Sequence, residues 1–357
     1  MVNFTILAGG YTAFVASYLF NSDASTLSLL NQSPTGENPS WISLHPFDPS
    51  IVYAVNENDN GALQSYMVGP EGALAGPVDT IETGGGAPAF AAGLTTGQVA
   101  VMNYNSGNGK IVPTTNGGLL FDKTAPLITF PPPAGGVSHP HMAIQNGAEV
   151  LVPDLGGDKV WRLIQNGTAS EWGIQGLIEQ PSGSGPRHGL IRDGYFYLVH
   201  ELASTLTAQV LPMAPNGTTA FLSDDSTIPS TYPNGSAFAA AEILVSPPSS
   251  AFPSPYIYTS NRNTGTLDPR GDTIVIWAVQ PDGSVQQVKQ VYTGLDQIRG
   301  MMISTSADGT GEYIIAAGYA GTAGVQVYRR VSGGADLQLV ATNTDIPTRT
   351  SFIWLPL

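Results

Sequence analysis

The chain has 357 residues, 42% of them hydrophobic, and a mean hydropathy of +0.04, enough apolar material for a large buried core and too much for a disordered polar chain. Thirteen Lys and Arg against 27 Asp and Glu give a net charge of −14, a field that repels phosphate backbones and anionic lipid, so neither nucleic acid nor a membrane is expected as a partner. No run of 18 apolar residues is present, and the opening MVNFTILAGGYTAFVASYLF lacks a basic leader, so it reads as strands.

Taken in chain order, one unit recurs: LAGGYTAFVASYLF, AVNENDNGALQSYMV, VMNYNSGNGKIVPTT, VPDLGGDKVWRLIQ, LVHELASTLTAQVLPM, YTSNRNTGTLDPRGDTIVIWAV and AAGYAGTAGVQVYRR. Each is an apolar strand, a polar turn and a second alternating strand, followed by a Gly- or Pro-marked hairpin into a third. The turn residues Gly10, Asn56, Asn103, Asp154, His200, Asn261 and Gly318 lie 46, 47, 51, 46, 61 and 57 apart, and the interval through the termini is 49. That period is the blade length of a β-propeller. The expected fold is therefore an all-β, seven-bladed propeller formed by residues 1–357 as a single domain.

A further strand precedes each unit, beginning at SWISLHP, APAFAAG, SHPHMAI, GPRHGLI, AAAEILV, IRGMMIS and SFIWLPL. The last of these is C-terminal while FTILAGG is N-terminal, so one blade should combine both ends and remove two free sheet edges.

The segments NPSWISLHP, SHPHMAI with VLVPDLGGDKV, GSGPRHGLI with YLVHELAST, AAEILVS with YIYTSNRNTG, and VYRR resemble the propeller lactonase family of 6-phosphogluconolactonases and fungal carboxy-cis,cis-muconate cyclases. The resemblance spans nearly the whole chain and is most specific over residues 138–205. The family's SPDG turns are mostly absent here, and AAGY at 316–319 replaces a more polar strand end.

Inner strands of a propeller line the central channel, and the turn after the second strand lies at the same rim. His139 and His141 from one blade, Arg187, His188 and Glu201 from the next, Glu242 and Arg262 from a third, and Arg299 from a fourth should therefore meet. Three arginines of the chain's nine in one mouth predict a carboxylate or phosphate ligand gripped by bidentate forks. The resemblance assigns the catalytic positions to His141, Arg187 and Glu201, leaving His139, His188, Glu242, Arg262 and Arg299 as substrate-binding candidates, with His139 the weakest. His141 is expected as the proton-transfer group and Arg187 as the carboxylate clamp. Rim placement further predicts that substitutions there leave melting unchanged.

His45 and Asp48 in LHPFDP read as turn residues, and GGD at 156–158 as a hairpin turn. No spacing suggests a metal, and no cofactor is expected. Making or breaking a C–O bond β to a carboxylate, as a lactonising cyclase or a uronate-type lyase, is the first expectation. A hydrolytic sugar lactonase and a non-catalytic glycan-binding propeller are the alternatives. The substrate is expected to be a small carboxylate- or lactone-bearing molecule, or a uronate-containing glycan. Five N-x-S/T sequons, at Asn3, Asn31, Asn166, Asn216 and Asn234, and only four lysines predict secretion after removal of a signal, with the cytoplasm as the alternative. A closed ring with no edge to cover predicts a monomer.

Overall fold

A computed structural model describes residues 2–304 and 311–356; Leu357, the last residue of SFIWLPL, lies outside them. Among the described residues the chain forms seven antiparallel sheets, six of four strands and one of five. In six blades the strands run outward in sequence order from the channel, and in the remaining one the C-terminal strand is innermost, ahead of the three N-terminal ones. The second strands are buried at every position in three blades, Ile51–Asn56, Gln98–Asn103 and Glu149–Asp154. A strand sandwiched by blades on both faces has no solvent side, which is why these segments read as nearly continuous apolar runs. Outer strands such as Val285–Tyr292 are far more open, with one of its eight residues buried.

Ring closure follows the expected route. Ser351–Trp354 pairs antiparallel with Asn3–Gly9, setting Trp354 opposite Ile6 and Ser351 opposite Gly9, and Phe14–Asn21 and Thr26–Pro34 complete the blade. Hydrophobic packing is organised between blades. One cluster joins Phe4, Ile6, Tyr18 and Phe20 of this first blade to Tyr313, Ile315 and Val325 of the seventh. Trp354 packs edge-on against Phe4, with ring centroids 5.6 Å apart.

Two local devices place residues at the channel mouth. At the end of the second strand, a turn-residue amide anchors the linker entering its own blade: Asn56 donates to Glu37 O, Asn103 to Thr83 O and Asn261 to Thr227 O. Asp154 does comparable work by accepting from His139 N, Gly157 N, Ser138 Oγ and Trp161 Nε1. The second device is a bulge in the inner strand. Pro186 faces His200 but His188 faces Val199, which leaves Arg187 unopposed; Arg299 and Ala89 are left over in the same way. Such an extra residue re-aims its side chain and terminates pairing.

The inner strand expected to begin at SHPHMAI is regular only over Ile144–Asn146, with one isolated bridge from Pro140 to Asp154 ahead of it. His45 and Asp48 are in a turn, where His45 Nδ1 accepts the Phe47 and Asp48 amide protons. Because Trp354 is 2% exposed and sits at the closure, Trp354→Ala should lower unfolding free energy by about 3–5 kcal/mol, the usual range for emptying an aromatic core position. Urea denaturation followed by circular dichroism would show this as a lower midpoint.

Candidate active site

The residue directly after the turn position points into the channel mouth in six of the seven blades: Tyr11, Glu57, Tyr104, Glu201, Arg262 and Tyr319. In the fourth blade the equivalent residue is Leu155, which is buried. Inner strands add Ala89, Arg187 and Arg299, the segment leading into Ile144–Asn146 adds His141, and together these ten line a cavity of about 250 Å³.

Charge in this cavity is dense and paired. Arg187 Nε and Arg262 Nη2 both contact Glu201 Oε2, at 2.8 and 2.7 Å. Arg187 Nη1 also donates to Ala241 O at 2.5 Å, and Arg262 Nε to Ala239 O at 3.3 Å. On the opposite wall Arg299 Nη2 lies 3.2 Å from Glu57 Oε2, and Arg299 Nη1 donates to the Tyr11 hydroxyl. Tyr11 donates in turn to Glu57 Oε1 at 2.8 Å, and Ser40 Oγ donates to Glu57 Oε2. Burial draws both Arg187 and Arg299 down to about 10, which leaves them charged at neutral pH. Glu57 is pushed up from 4.5 to about 7 by burial, against the opposing pull of Ser40 and Arg187. Three guanidiniums thus face two carboxylates, one of them half-protonated near neutrality, so the mouth is net positive in a chain carrying −14.

His141 stands at the inner end, 4% exposed. Its Nδ1 is 3.1 Å from His188 Nε2, and His188 Nδ1 is 2.9 Å from Glu242 Oε1. Glu242 Oε1 also accepts the Ile243 amide proton, so it acts as an acceptor and sets the proton on His188 Nδ1. His188 Nε2 must then accept from His141 Nδ1–H, which leaves the His141 Nε2 lone pair directed at the cavity. Burial, reinforced by Arg187, His188 and Arg262, holds His141 well below the ordinary imidazole range. It is a free base at neutral pH.

The sequence-derived set divides accordingly. His141, Arg187, Glu201, Arg262 and Arg299 share the cavity wall. His139, His188 and Glu242, expected to bind substrate, do not. His139 is stacked on the Tyr104 ring with centroids 4.4 Å apart and its Nδ1 bonded to Tyr104 O. His188 is fully buried behind His141, because the bulge at Arg187 sends its neighbour away from the mouth. Arg187 is 1% exposed and ties its blade to the next through Ala241 O, so it is not the rim residue of little structural consequence expected from its position. Tyr11, Glu57, Tyr104 and Tyr319 were missed, although each directly follows an aligned turn residue, as Glu201 and Arg262 do.

A family model described as lactonase, 7-bladed beta-propeller, matches residues 5–354. The chain belongs to the seven-bladed propeller lactonase family. A curated relative, the uncharacterized protein YwcC of Lactococcus lactis subsp. lactis, is 29% identical over 276 residues, covering 73% of this chain and 76% of that one. Among solved structures, this lactonase-family chain is similar to the Pseudomonas aeruginosa periplasmic gluconolactonase PpgL, with a TM-score of 0.81 and 20% identity over 99% of each chain. It is also similar to a putative 6-phosphogluconolactonase from Bacteroides fragilis, with a TM-score of 0.79 and 20% identity over 99% of this chain and 98% of that one. A Lactobacillus plantarum protein superposes with a TM-score of 0.82 at 22% identity, covering 99% and 100%. At these identities the superpositions establish the shared fold.

The Glu57 carboxyl gives the site a pH signature. Its folded value of about 7 exceeds its unfolded value of 4.5, so the folded chain keeps the proton longer. The associated stability is complete below about 4.5 and is lost as pH rises through 7. In Glu57→Gln that loss is absent, so melting temperature measured from pH 4.5 to 7.5 should shift in the variant's favour as pH rises. A difference between variant and wild type that stays constant across this range would remove Glu57 as a buried titrating acid.

Proposed function

We propose that the chain is a hydrolytic lactonase acting on a small lactone that bears an anionic group. The observation that carries this reading is the His141 Nε2 lone pair, fixed by the His188–Glu242 chain, in a cavity ringed by Arg187, Arg262 and Arg299. Family membership supports an enzyme of lactone chemistry, and the gluconolactonase and putative 6-phosphogluconolactonase among the structural neighbours favour ring opening by water over the cyclase or elimination chemistry that the sequence put first. The volume of about 250 Å³ is below the roughly 300 Å³ at which drug-sized pockets begin, which suits one sugar-sized ring better than a polymeric uronide. Secretion and a monomeric state remain the corresponding proposals for location and assembly.

In this reading water enters between His141 and the lactone carbonyl. His141 Nε2 removes a proton as the water oxygen bonds to the carbonyl carbon, and the C=O π pair moves onto the carbonyl oxygen, where a guanidinium stabilises it. When the intermediate collapses, the acyl carbon–ring oxygen bond breaks and the ring oxygen takes the proton back from His141. While His141 carries the extra proton, His188 and Glu242 stabilise it through the Nδ1–H···Nε2 and Nδ1–H···Oε1 bonds. The remaining arginines hold the substrate's own anionic group.

Glucono-1,5-lactone 6-phosphate is the substrate to test, with uncharged glucono-1,5-lactone as the comparison that lacks a group for the arginines to hold and should turn over less well, by acid release in a pH-stat and by ultraviolet absorbance. Acid release without new conjugated double bonds is expected; conjugation without acid release would overturn hydrolysis in favour of elimination. His141→Ala should lower kcat by roughly 100-fold or more with KM little changed. Arg262→Ala, at the more open side of the mouth, should raise KM, and Arg262→Lys should recover little of it because a point charge does not reproduce the fork. Arg187→Ala should impair both constants and also lower the melting temperature, since it leaves Glu201 and Ala241 O short of a buried partner.

A further inference from the structure

The three guanidiniums of the mouth are not held alike. Arg187 and Arg262 share Glu201, and each is also tied to a backbone carbonyl, Ala241 O and Ala239 O. They are the two that help hold His141 below the ordinary imidazole range, so they belong to the end of the cavity where a reacting carbonyl must lie. Arg299 stands on the opposite wall. Among the described residues its bonds go to two cavity-lining side chains, Nη1 to the Tyr11 hydroxyl and Nη2 to Glu57 Oε2 at 3.2 Å. A guanidinium held by groups that themselves face the ligand space can exchange a partner for a ligand without moving the backbone.

Glu57 is the partner such a ligand meets. Its oxygens are engaged by Tyr11, Ser40 and Arg299, and its side chain is 13% exposed. In a cavity of about 250 Å³ an anion on Arg299 lies close to that carboxylate and takes a share of the guanidinium that offsets its charge. At a separation of about 5 Å and an effective dielectric of about 20, repulsion between two unit charges favours protonating one of them by tenfold or more. Glu201 pairs with Arg187 and Arg262, whereas Glu57 pairs with Arg299, so Glu57 is the less neutralised of the two acids. The other groups facing Glu57 are the Arg187 guanidinium, the Tyr11 and Tyr104 phenols, and His141 at the inner end.

We propose that Arg299 and Glu57 form the subsite for the anionic group of the ligand, and that filling it draws a proton from solvent onto Glu57. The site then accepts an anion and a proton together. Because burial already raises the Glu57 acid to about 7, binding is tightest below that pH, where the proton is in place. It weakens as pH rises above 7, where each bound anion must bring a proton with it. The subsite rests on the reading of this cavity as one that takes an anionic substrate, but not on hydrolysis.

The probe is D-glucose 6-sulfate, a sugar-sized ring whose sulfate stays fully ionised from pH 6.5 to 8.5, so any proton taken up goes to the protein. D-Glucose is its uncharged comparison. Isothermal titration calorimetry of the full chain, run at each pH in two buffers of different ionisation enthalpy, reads the proton count from the difference in heat. About half a proton per site should be taken up at pH 7.5, and affinity should fall roughly fivefold or more from pH 6.5 to 8.5. Glucose should bind at least tenfold more weakly. In Glu57→Gln the uptake should vanish and affinity should no longer depend on pH across this range. In Arg299→Gln affinity for the sulfate ester should fall at least tenfold. Four results would each overturn the proposal: no uptake by the wild type, uptake that persists in Glu57→Gln and so belongs to His141, undiminished affinity in Arg299→Gln, or glucose binding as tightly as its sulfate ester. The wild-type calorimetry decides the matter even if a variant folds poorly. Acid release from the lactone 6-phosphate is read separately. A chain that binds the sulfate ester with proton uptake but opens no lactone refutes the lactonase reading and leaves the subsite standing, and an active enzyme without proton uptake does the reverse.

Discussion

A blade of this ring has no core of its own. Its two inner strands are apolar on both faces, and both faces are buried only by adjacent blades, so the fold depends on the ring closing through the pairing of Ser351–Trp354 with Asn3–Gly9. The hydrophobic clusters show the same dependence, each drawing on two adjoining sheets; Phe4 and Phe20 pack against Tyr313 just as Tyr197 and Val199 of the fifth blade share a cluster with Ile257 and Val275 of the sixth. Closure also creates the channel. Once the inner strands are arranged radially, the ends of seven unrelated segments converge, and the cavity wall takes residues from blades as distant in sequence as Tyr11 and Arg299.

That origin explains what could be read from sequence. The blade count, the closure and the convergence of His141 and Arg187 follow from a period that survives even where the motifs do not, because a side chain that anchors the linker, as Asn56, Asn103, Asp154 and Asn261 do, marks the end of the second strand in four of the seven blades. The facing of particular residues was less legible. A strict two-residue alternation says that Arg187 and His188 point to opposite sides, but not which one faces the mouth. The bulge that decides it is a property of the pairing between Pro186, His188 and the next strand. Glu57 was hidden for another reason. In NEND it looks like one more polar turn residue, and its chemistry arises from Ser40 and from Arg299, which lies 242 residues away.

The electrostatics of the mouth balance two large effects. Burying three guanidiniums is costly, and the carboxylates Glu57 and Glu201 offset much of that by direct pairing. They do not neutralise it. Glu201 is shared by two arginines, and Glu57 is itself so buried that its proton is held to about 7. The result is residual positive potential confined to one concavity of an acidic protein, which concentrates an anionic ligand there while the rest of the surface repels it. Paired arginines are also geometrically fixed. An anion arriving in the mouth meets forks already held by Ala241 O, Ala239 O and Glu201, and little side-chain freedom is lost on binding.

Placing the histidine chain behind the mouth follows from the same physics. A proton on His141 is stabilised only as far as His188 and Glu242 are kept in register, and water reaching either one would offer competing partners to the ring nitrogens. His141 faces the polar mouth, while the Trp41 and Phe90 rings pack on His188 and keep it fully buried. Glu242 itself is 4% exposed, so the carboxylate that holds His188 is as dry as the ring it holds. In the proposed lactonase the polar mouth holds the substrate, and the apolar packing of Trp41 and Phe90 on His188 keeps the group behind the base in a low dielectric.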